Sequence, residues 1–260
     1  MPKLAANLTM QFNEHEFIDR FAAAANAGFK GVEYLHPYSE SSGAVAEQLE
    51  ANALEQVLFN FPPGDWEGGD RGIAGQPDRI AEFRDGLETA LIYAKATGCK
   101  RLHAMSGCAV GGDVTQEHVD TYAENVRFVA DEVASLGIEI MVEAINSRVD
   151  VPGYIIDTTD KVLEVLKAVD RQNVKMQFDI YHMQIMHGDL ARGIETLLPH
   201  IAHMQLADNP GRNEPGTGEI DYAFLLERID ALGYDGWIGC EYKPAGGTVD
   251  GLGWALAFLE

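Results

Sequence analysis

The sequence predicts an α/β fold, a (β/α)8 TIM barrel formed as a single domain by residues 1–260. Three observations carry that reading. Short apolar runs alternate eight times with longer segments of helical character, and strands alternating with helices make a parallel sheet that closes into a barrel. Four of the runs end in a polar side chain able to bind a metal: Glu143 after Ile140-Met141-Val142, Asp179 after Met176-Gln177-Phe178, Gln205 after Ala202-His203-Met204, and Glu241 after Ile238-Gly239-Cys240. The chain has 260 residues, 46% of them hydrophobic, and one barrel of this kind takes about 250 residues.

The elements follow from apolar runs and their punctuation. The first strand is expected near Leu4–Leu8, followed by a helix from Glu14 to Ala27 with Gly28 as its C-cap. The second strand is Gly31–Tyr34, with a helix near Ala44–Ala53. The third is Leu54–Asn60. A polar, Gly-rich loop then runs from Phe61 to Asp78, and a loop that long inside a compact domain is more often functional than idle. A helix over Ile80–Thr97 stops at Gly98, before strand four at Arg101–Met105. A helix over Gln116–Leu136 stops at Gly137 and leads into strand five, Ile138–Glu143. After the loop Asn146–Asp157 come a helix over Thr159–Val169 and strand six, Val174–Asp179. A helix near Leu190–Leu198 precedes strand seven, Ile201–Ala207. The loop Asp208–Glu219 is dense in Pro, Gly and Asn. A helix over Tyr222–Leu232 lies between an Asp221 cap and Gly233. Strand eight is Trp237–Glu241, and Leu252–Phe258 closes the chain.

Charge excludes some functions. With 19 basic against 41 acidic residues the net charge is −22, whereas a nucleic-acid binder needs a basic face to displace counterions. Three cysteines, Cys99, Cys108 and Cys240, form no CxxC pair, which argues against a disulfide framework or structural zinc. Cys240 adjoins Glu241, so strand alternation turns it away from the site. No apolar stretch suits a signal peptide or a membrane span, and a cytoplasmic enzyme of small metabolites is expected; the sequence is compatible with oligomerisation. No Walker loop, GxGxxG or GxSxG motif is present.

A carboxylate at one strand end could equally be an ion pair or a cap. Four together are different, because the ends of one parallel barrel converge. Glu143, Asp179, Gln205 and Glu241 would carry charge −3 and repel one another unless one is protonated or a cation joins them. Oxygen donors of this kind suit Mg2+ or Mn2+ ahead of Zn2+. His182, three residues beyond Asp179, could reach over the site from the following loop, and His203 is expected to pack beneath Gln205. Arg71, Arg212 and Lys243 fall in loops on the same face. There they could pair with an anionic small-molecule substrate, arginine matching a carboxylate in bidentate fashion, although each alone could be a surface ion pair.

Longer segments point to a family. Ala6-Asn7-Leu8-Thr9-Met10, Gly31-Val32-Glu33-Tyr34, Pro63-Gly64-Asp65-Trp66, Arg71-Gly72-Ile73-Ala74, Asp179-Ile180-Tyr181-His182-Met183-Gln184, Gln205-Leu206-Ala207-Asp208-Asn209-Pro210, Glu214 to Ile220 and Gly236 to Pro244 resemble the hydroxypyruvate isomerases of the xylose-isomerase-like barrel superfamily. The related 2-oxo-tetronate isomerases share the framework. The resemblance implies a divalent metal on Glu143, Asp179, Gln205 and Glu241, with Glu143 and Glu241 also as acid/base groups. It implies interconversion of hydroxypyruvate and 2-hydroxy-3-oxopropanoate through an enediol, with 2-oxo-tetronate as the alternative substrate. The Phe61–Asp78 loop, with Trp66, would be a lid that keeps water out. Ketose 3-epimerases carry a histidine where this chain has Gln205, which makes epimerisation a weaker reading. An abasic-site endonuclease of the same superfamily would need more histidines, at positions such as Asn60 and Gln205, and the net charge opposes DNA. A metal-bearing binding module without catalysis is the remaining alternative.

Overall fold

The computed structural model describes residues 2–109 and 111–259. Eight parallel strands close into one barrel, each hydrogen-bonded to its neighbours in sequence and β1 to β8. They are β1 (Lys3–Asn7), β2 (Gly31–Glu33), β3 (Glu55–Asn60), β4 (Arg101–His103), β5 (Glu139–Glu143), β6 (Val174–Asp179), β7 (Ile201–Gln205) and β8 (Trp237–Cys240). The helices are α1 (Arg20–Asn26), α2 (Ser42–Ala51), α3 (Ile80–Thr97), α4 (Gln116–Val133), α5 (Thr159–Val169), α6 (Ile180–Met186), α7 (Leu190–Leu197), α8 (Tyr222–Ala231) and α9 (Leu256–Leu259). Among the described residues no helix is long and apolar enough to cross a membrane.

Local chemistry sets the boundaries. Ser41, Thr158 and Asp221 cap α2, α5 and α8, each side chain accepting a backbone N–H of the first turn. Gly98 and Gly137 end the third and fourth helical segments at φ 72° and 64°, in the left-handed region where a Cβ is costly. Two differences from expectation stand out. The first helix begins only at Arg20, after a 3-10 turn over Phe17–Asp19. And α6 starts on the residue after β6, where a loop was expected, because Asp179 is its N-cap.

Among the described residues the apolar core forms one large cluster and two small ones, one of the small ones made of Met105, Ile145 and Tyr154. The large cluster joins the outer face of the sheet to the helices, and Cys240 is buried in it. The other small cluster, of Ala5, Val57, Leu58, Met141 and Trp237, forms separately. The Trp237 ring occupies the space beside Gly31, where a Cβ would sit 2.7 Å from it. Its indole N–H donates to Glu55 at 3.1 Å, and Lys3 Nζ lies 5.1 Å from the ring centroid. This plug seals the barrel below the polar strand ends.

Candidate active site

Two residues further along the same strands, the inward positions become polar. Asp179 pairs in register with Gln205, Gln205 with Gly239, and Glu143 with Gln177, one step before Asp179 on the same face of β6, so these groups gather at the barrel mouth. Asp179 does two jobs there. Its Oδ1 accepts the backbone N–H groups of Tyr181 and His182 at 2.8 and 3.4 Å. Its Oδ2 is buried without a hydrogen-bond partner. The helical turn that Asp179 starts carries His182 back over it, with Nε2 at 3.5 Å from Oδ2 and 4.0 Å from Glu143 Oε1. His182 thus acts from the first turn of α6 rather than from a loop. Asn146 Nδ2 lies 2.7 Å from its Nδ1.

Glu143, Asp179 and His182 offer ligand atoms that all lie within 4.8 Å of one another. Glu143 Oε1 and Asp179 Oδ2 are orphaned buried oxygens. Two free carboxylate oxygens beside an imidazole form a donor set that fits a divalent cation. The other two expected ligands adjoin this group but are otherwise engaged. Gln205 Oε1 accepts from Gln177 Nε2 at 2.6 Å, and its Nε2 donates to Glu33 at 2.8 Å. Glu241 Oε2 accepts from Arg212 Nη2 at 2.6 Å.

Arg212 sits among carboxylates. Besides Glu241, it has Asp179 and Asp150 at 3.9 Å, and its guanidinium lies over the Tyr181 ring at 5.0 Å. Burial works against its charge, but the surrounding carboxylates outweigh burial and hold its pKa above the usual value. The loop that carries it is gathered by the buried Asp208, whose carboxylate accepts the backbone N–H groups of Asn209, Gly216, Gly218 and Ile220. Gly218 is required there, since a Cβ would meet the Asn209 carbonyl.

Burial dominates the titration of the site. It lifts Glu143 well above the ordinary carboxyl range, with the charges of Glu241 and Asp179 adding to it. It lifts Glu241 to about 8 against the pull of Arg212, and Asp179 to about 6 against Arg212 and the capping N–H groups. Burial also keeps His103, at the end of β4 with Nδ1 3.5 Å from Glu143, down at about 3.

A cavity of about 200 Å³ opens on these groups, lined by Glu143, His182, Arg212 and Glu241 below and by Trp66 and Arg71 above. Arg71 stacks on Trp66 with its guanidinium 4.1 Å from the ring centroid and donates to the Trp66 and Asp70 carbonyls. Among the described residues it pairs with no carboxylate. Lys243 is exposed and lines a different groove, with Thr9, Met10 and Asn13. The structure also brings in residues the strand-end reading passed over: Glu33 on β2, Asn7 on β1, Gln177 on β6 and Asp150. His203 is fully buried and bonded to Glu33, with Nε2 at 2.6 Å from its carboxylate, a polar contact where packing was expected. A buried carboxylate inside Gly31-Val32-Glu33-Tyr34 was the available signal.

Comparisons with known proteins agree with this geometry. Residues 21–259 match the family model described as xylose isomerase-like TIM barrel. A 2-oxo-tetronate isomerase of Cupriavidus necator is 46% identical over 100% of this chain and 99% of its own. The hydroxypyruvate isomerase of Escherichia coli is 42% identical over 98% of each chain. Among solved structures, a Brucella melitensis protein described as an AP endonuclease, family 2, superposes with TM-score 0.96 at 46% identity, covering 99% of both chains. A D-allulose 3-epimerase of Methylomonas shares the fold at TM-score 0.74 and 21% identity, covering 99% of this chain and 90% of its own. With full-length identities of this size and the same closed barrel, this chain is an isomerase that belongs to the xylose isomerase-like TIM-barrel family, in its hydroxypyruvate and 2-oxo-tetronate isomerase group.

Proposed function

We propose that this protein is a metal-dependent aldose–ketose isomerase of a small hydroxy-oxo acid, acting through an enediol. The observation that carries this reading is the pair of buried glutamates, Glu143 and Glu241, facing one small cavity beside orphaned carboxylate oxygens. Moving a carbonyl to the next carbon means taking a proton from one carbon and returning it to its neighbour. Burial raises both carboxyls above the ordinary carboxylate range, which strengthens each as a base once ionised. In the proposal Glu143 serves one carbon and Glu241 the other. Glu143, Asp179, Gln205 and Glu241 would hold Mg2+ or Mn2+ ahead of Zn2+, and the proximity of His182 adds a nitrogen donor to that set. When bound, such a cation polarises the carbonyl and stabilises the developing enediolate.

Arg71 would receive the substrate carboxylate, a role supported by its position in the cavity lining and by its having no carboxylate partner among the described residues. Arg212 holds Glu241 and closes the floor, and His182 faces the reacting hydroxyls. The cavity holds the volume of roughly seven waters, smaller than most ligand pockets, which suits an acid of three or four carbons. The Asp208-Asn209-Pro210 and Gly216-Thr217-Gly218 segments favour hydroxypyruvate, interconverted with 2-hydroxy-3-oxopropanoate. A second reading, 2-oxo-tetronate, is supported by relatives of that name at 46% and 44% identity. DNA cleavage is disfavoured by the net charge of −22.

A substrate panel of hydroxypyruvate, 2-oxo-tetronates, free ketoses and abasic DNA, run on metal-stripped and metal-restored protein, tests the proposal. The expected result is metal-restored turnover of an acid, with kcat/KM ranking the two acids. Turnover of ketoses or DNA alone, or full activity after stripping, would overturn it.

A further inference from the structure

Glu33 is fully buried on β2, outside the proposed ligand set, and both of its carboxylate oxygens have side-chain hydrogen-bond partners. Its Oε1 accepts from Asn7 Nδ2 at 3.0 Å and from Gln205 Nε2 at 2.8 Å, while Oε2 lies 2.6 Å from His203 Nε2. The same Asn7 amide reaches Glu241 Oε1 at 3.4 Å. The barrel is cut away to admit this group: a Cβ on Gly239 would fall 2.2 Å from Glu33 Oε1. Burying a carboxylate costs several kcal/mol unless hydrogen bonds compensate, so a core position holding one with two amide donors and an imidazole contact is built rather than incidental.

The consequence falls on Gln205. An amide can present either its oxygen or its NH2 to a cation, and only the oxygen is a ligand. A carboxylate accepts and does not donate. With Glu33 on one side, the Gln205 NH2 is drawn toward Oε1, which turns the amide oxygen away from Glu33 to the Gln177 side, on the strand that ends in Asp179. Histidine ligands are commonly oriented by a carboxylate acting on the far ring nitrogen; here the carboxylate would act on a glutamine. Asn7 extends the same hold to Glu241.

We propose that Glu33 is a positioning residue for the metal site, fixing the Gln205 amide with its oxygen toward the cation and, through Asn7, steadying Glu241. The inference rests on the metal-dependent reading above, and its test does not require turnover. Chelator-stripped protein is titrated with Mn2+ by calorimetry, alongside thermal melts of the metal-free forms. Glu33→Ala should weaken Mn2+ binding on the order of 10–100-fold. Glu33→Asp withdraws the carboxylate from Gln205 while keeping the charge, and should weaken binding in the same direction. Glu33→Gln can still offer an oxygen to Gln205, with its NH2 facing a His203 that carries its proton on Nδ1, and should retain affinity within about threefold of the parent. In a Gln205→Ala background, Glu33→Asp should cost little further affinity, because the two act as one unit. Folded Glu33→Asp and Glu33→Ala proteins that bind Mn2+ within about twofold of the parent would overturn the proposal, as would full additivity with Gln205→Ala. Where Glu33→Ala does not fold, Glu33→Asp and the cycle decide. A parent protein that binds no Mn2+, Mg2+ or Zn2+ would instead overturn the metal site itself.

Discussion

The inside of the barrel has a lower and an upper level, built by the same strands two residues apart. Below, Ala5, Gly31, Val57, Met141 and Trp237 meet as an apolar plug. Above, the matching steps along β1, β2 and β5 bring Asn7, Glu33 and Glu143, and Glu241 directly follows β8. The lower level is close-packed to the point that Gly31 has no room for a methyl. The upper level buries carboxyl groups and leaves some of their oxygens without partners. Close packing is what stabilises a fold, and unpartnered buried oxygens are what a ligand can satisfy. The upper level is itself divided. Glu33 has donors on both oxygens, whereas Glu143 and Asp179 each keep one oxygen unpartnered. Residue type does not separate framework from chemistry here; hydrogen-bond satisfaction does.

Glu143→Gln should break the comparison most sharply. It keeps the volume and removes the proton acceptor, so kcat is expected to fall about 10²–10⁴-fold. The metal-free fold should not suffer, because burial and its acidic neighbours already disfavour the ionised Glu143. The check is turnover together with a thermal melt of the stripped protein and solvent-deuterium uptake into substrate. Parent-like exchange in both Glu143→Gln and Glu241→Gln would end the two-glutamate mechanism and turn attention to His182.

One rung down lies the cavity roof. Arg71→Ala should cost about 2–5 kcal/mol in kcat/KM toward an acid substrate. The loss should be confined to substrates that carry a carboxylate, measured against a neutral hydroxy-ketone of the same size. An equal loss on both would make Arg71 a prop for Trp66 and not an anchor.

The roof also carries a pH signature. Burial, and then the charge of Arg71, hold His36 near 4 instead of 6.5, and its ring packs against Trp66 at 4.9 Å. The folded state therefore keeps His36 neutral where the unfolded chain would take up a proton. This stability is complete above about pH 6.5 and drains away as pH falls toward 4, amounting to up to about 3 kcal/mol. His36→Gln should shrink the fall in Tm between pH 6.5 and 4.5. An unchanged fall would show that His36 is open to solvent.

Half of the upper level was legible in the sequence, and the lower level only as the strands that build it. Strands five to eight end in a polar residue straight after an apolar run, so Glu143, Asp179, Gln205 and Glu241 stand out. Strands β2 and β4 span three residues each, and their polar ends, Glu33 and His103, are followed by more apolar residues, Tyr34-Leu35 and Ala104-Met105. They therefore read as alternation within a strand rather than as ends. Helix α6 left no trace because it is seven residues long and starts without a loop. Lys243 lies in a loop beyond the end of β8, where no strand alternation fixes the side chain, and it lines a groove with Thr9, Met10 and Asn13.

The smallest expected effect tests whether the two levels are separable at all. Gly31 and Glu33 belong to one three-residue strand. A Cβ at Gly31 would lie 2.7 and 2.8 Å from the Trp237 ring and 2.9 Å from Val57 Cγ2, contacts that force ring and backbone apart. Overpacking of this kind costs about 1–3 kcal/mol, and at this chain length each kcal/mol lowers Tm by roughly 2–4 °C. If the plug only supports the fold, Gly31→Ala should lose that stability and still turn over substrate within about threefold of the parent, with Mn2+ affinity kept. If instead the displaced strand carries Glu33 with it, Mn2+ affinity will drop while Tm moves little. Melting the stripped protein and titrating it with Mn2+ tells the two apart: the first outcome makes the plug a foundation alone, and the second makes it part of the machinery that aims Gln205.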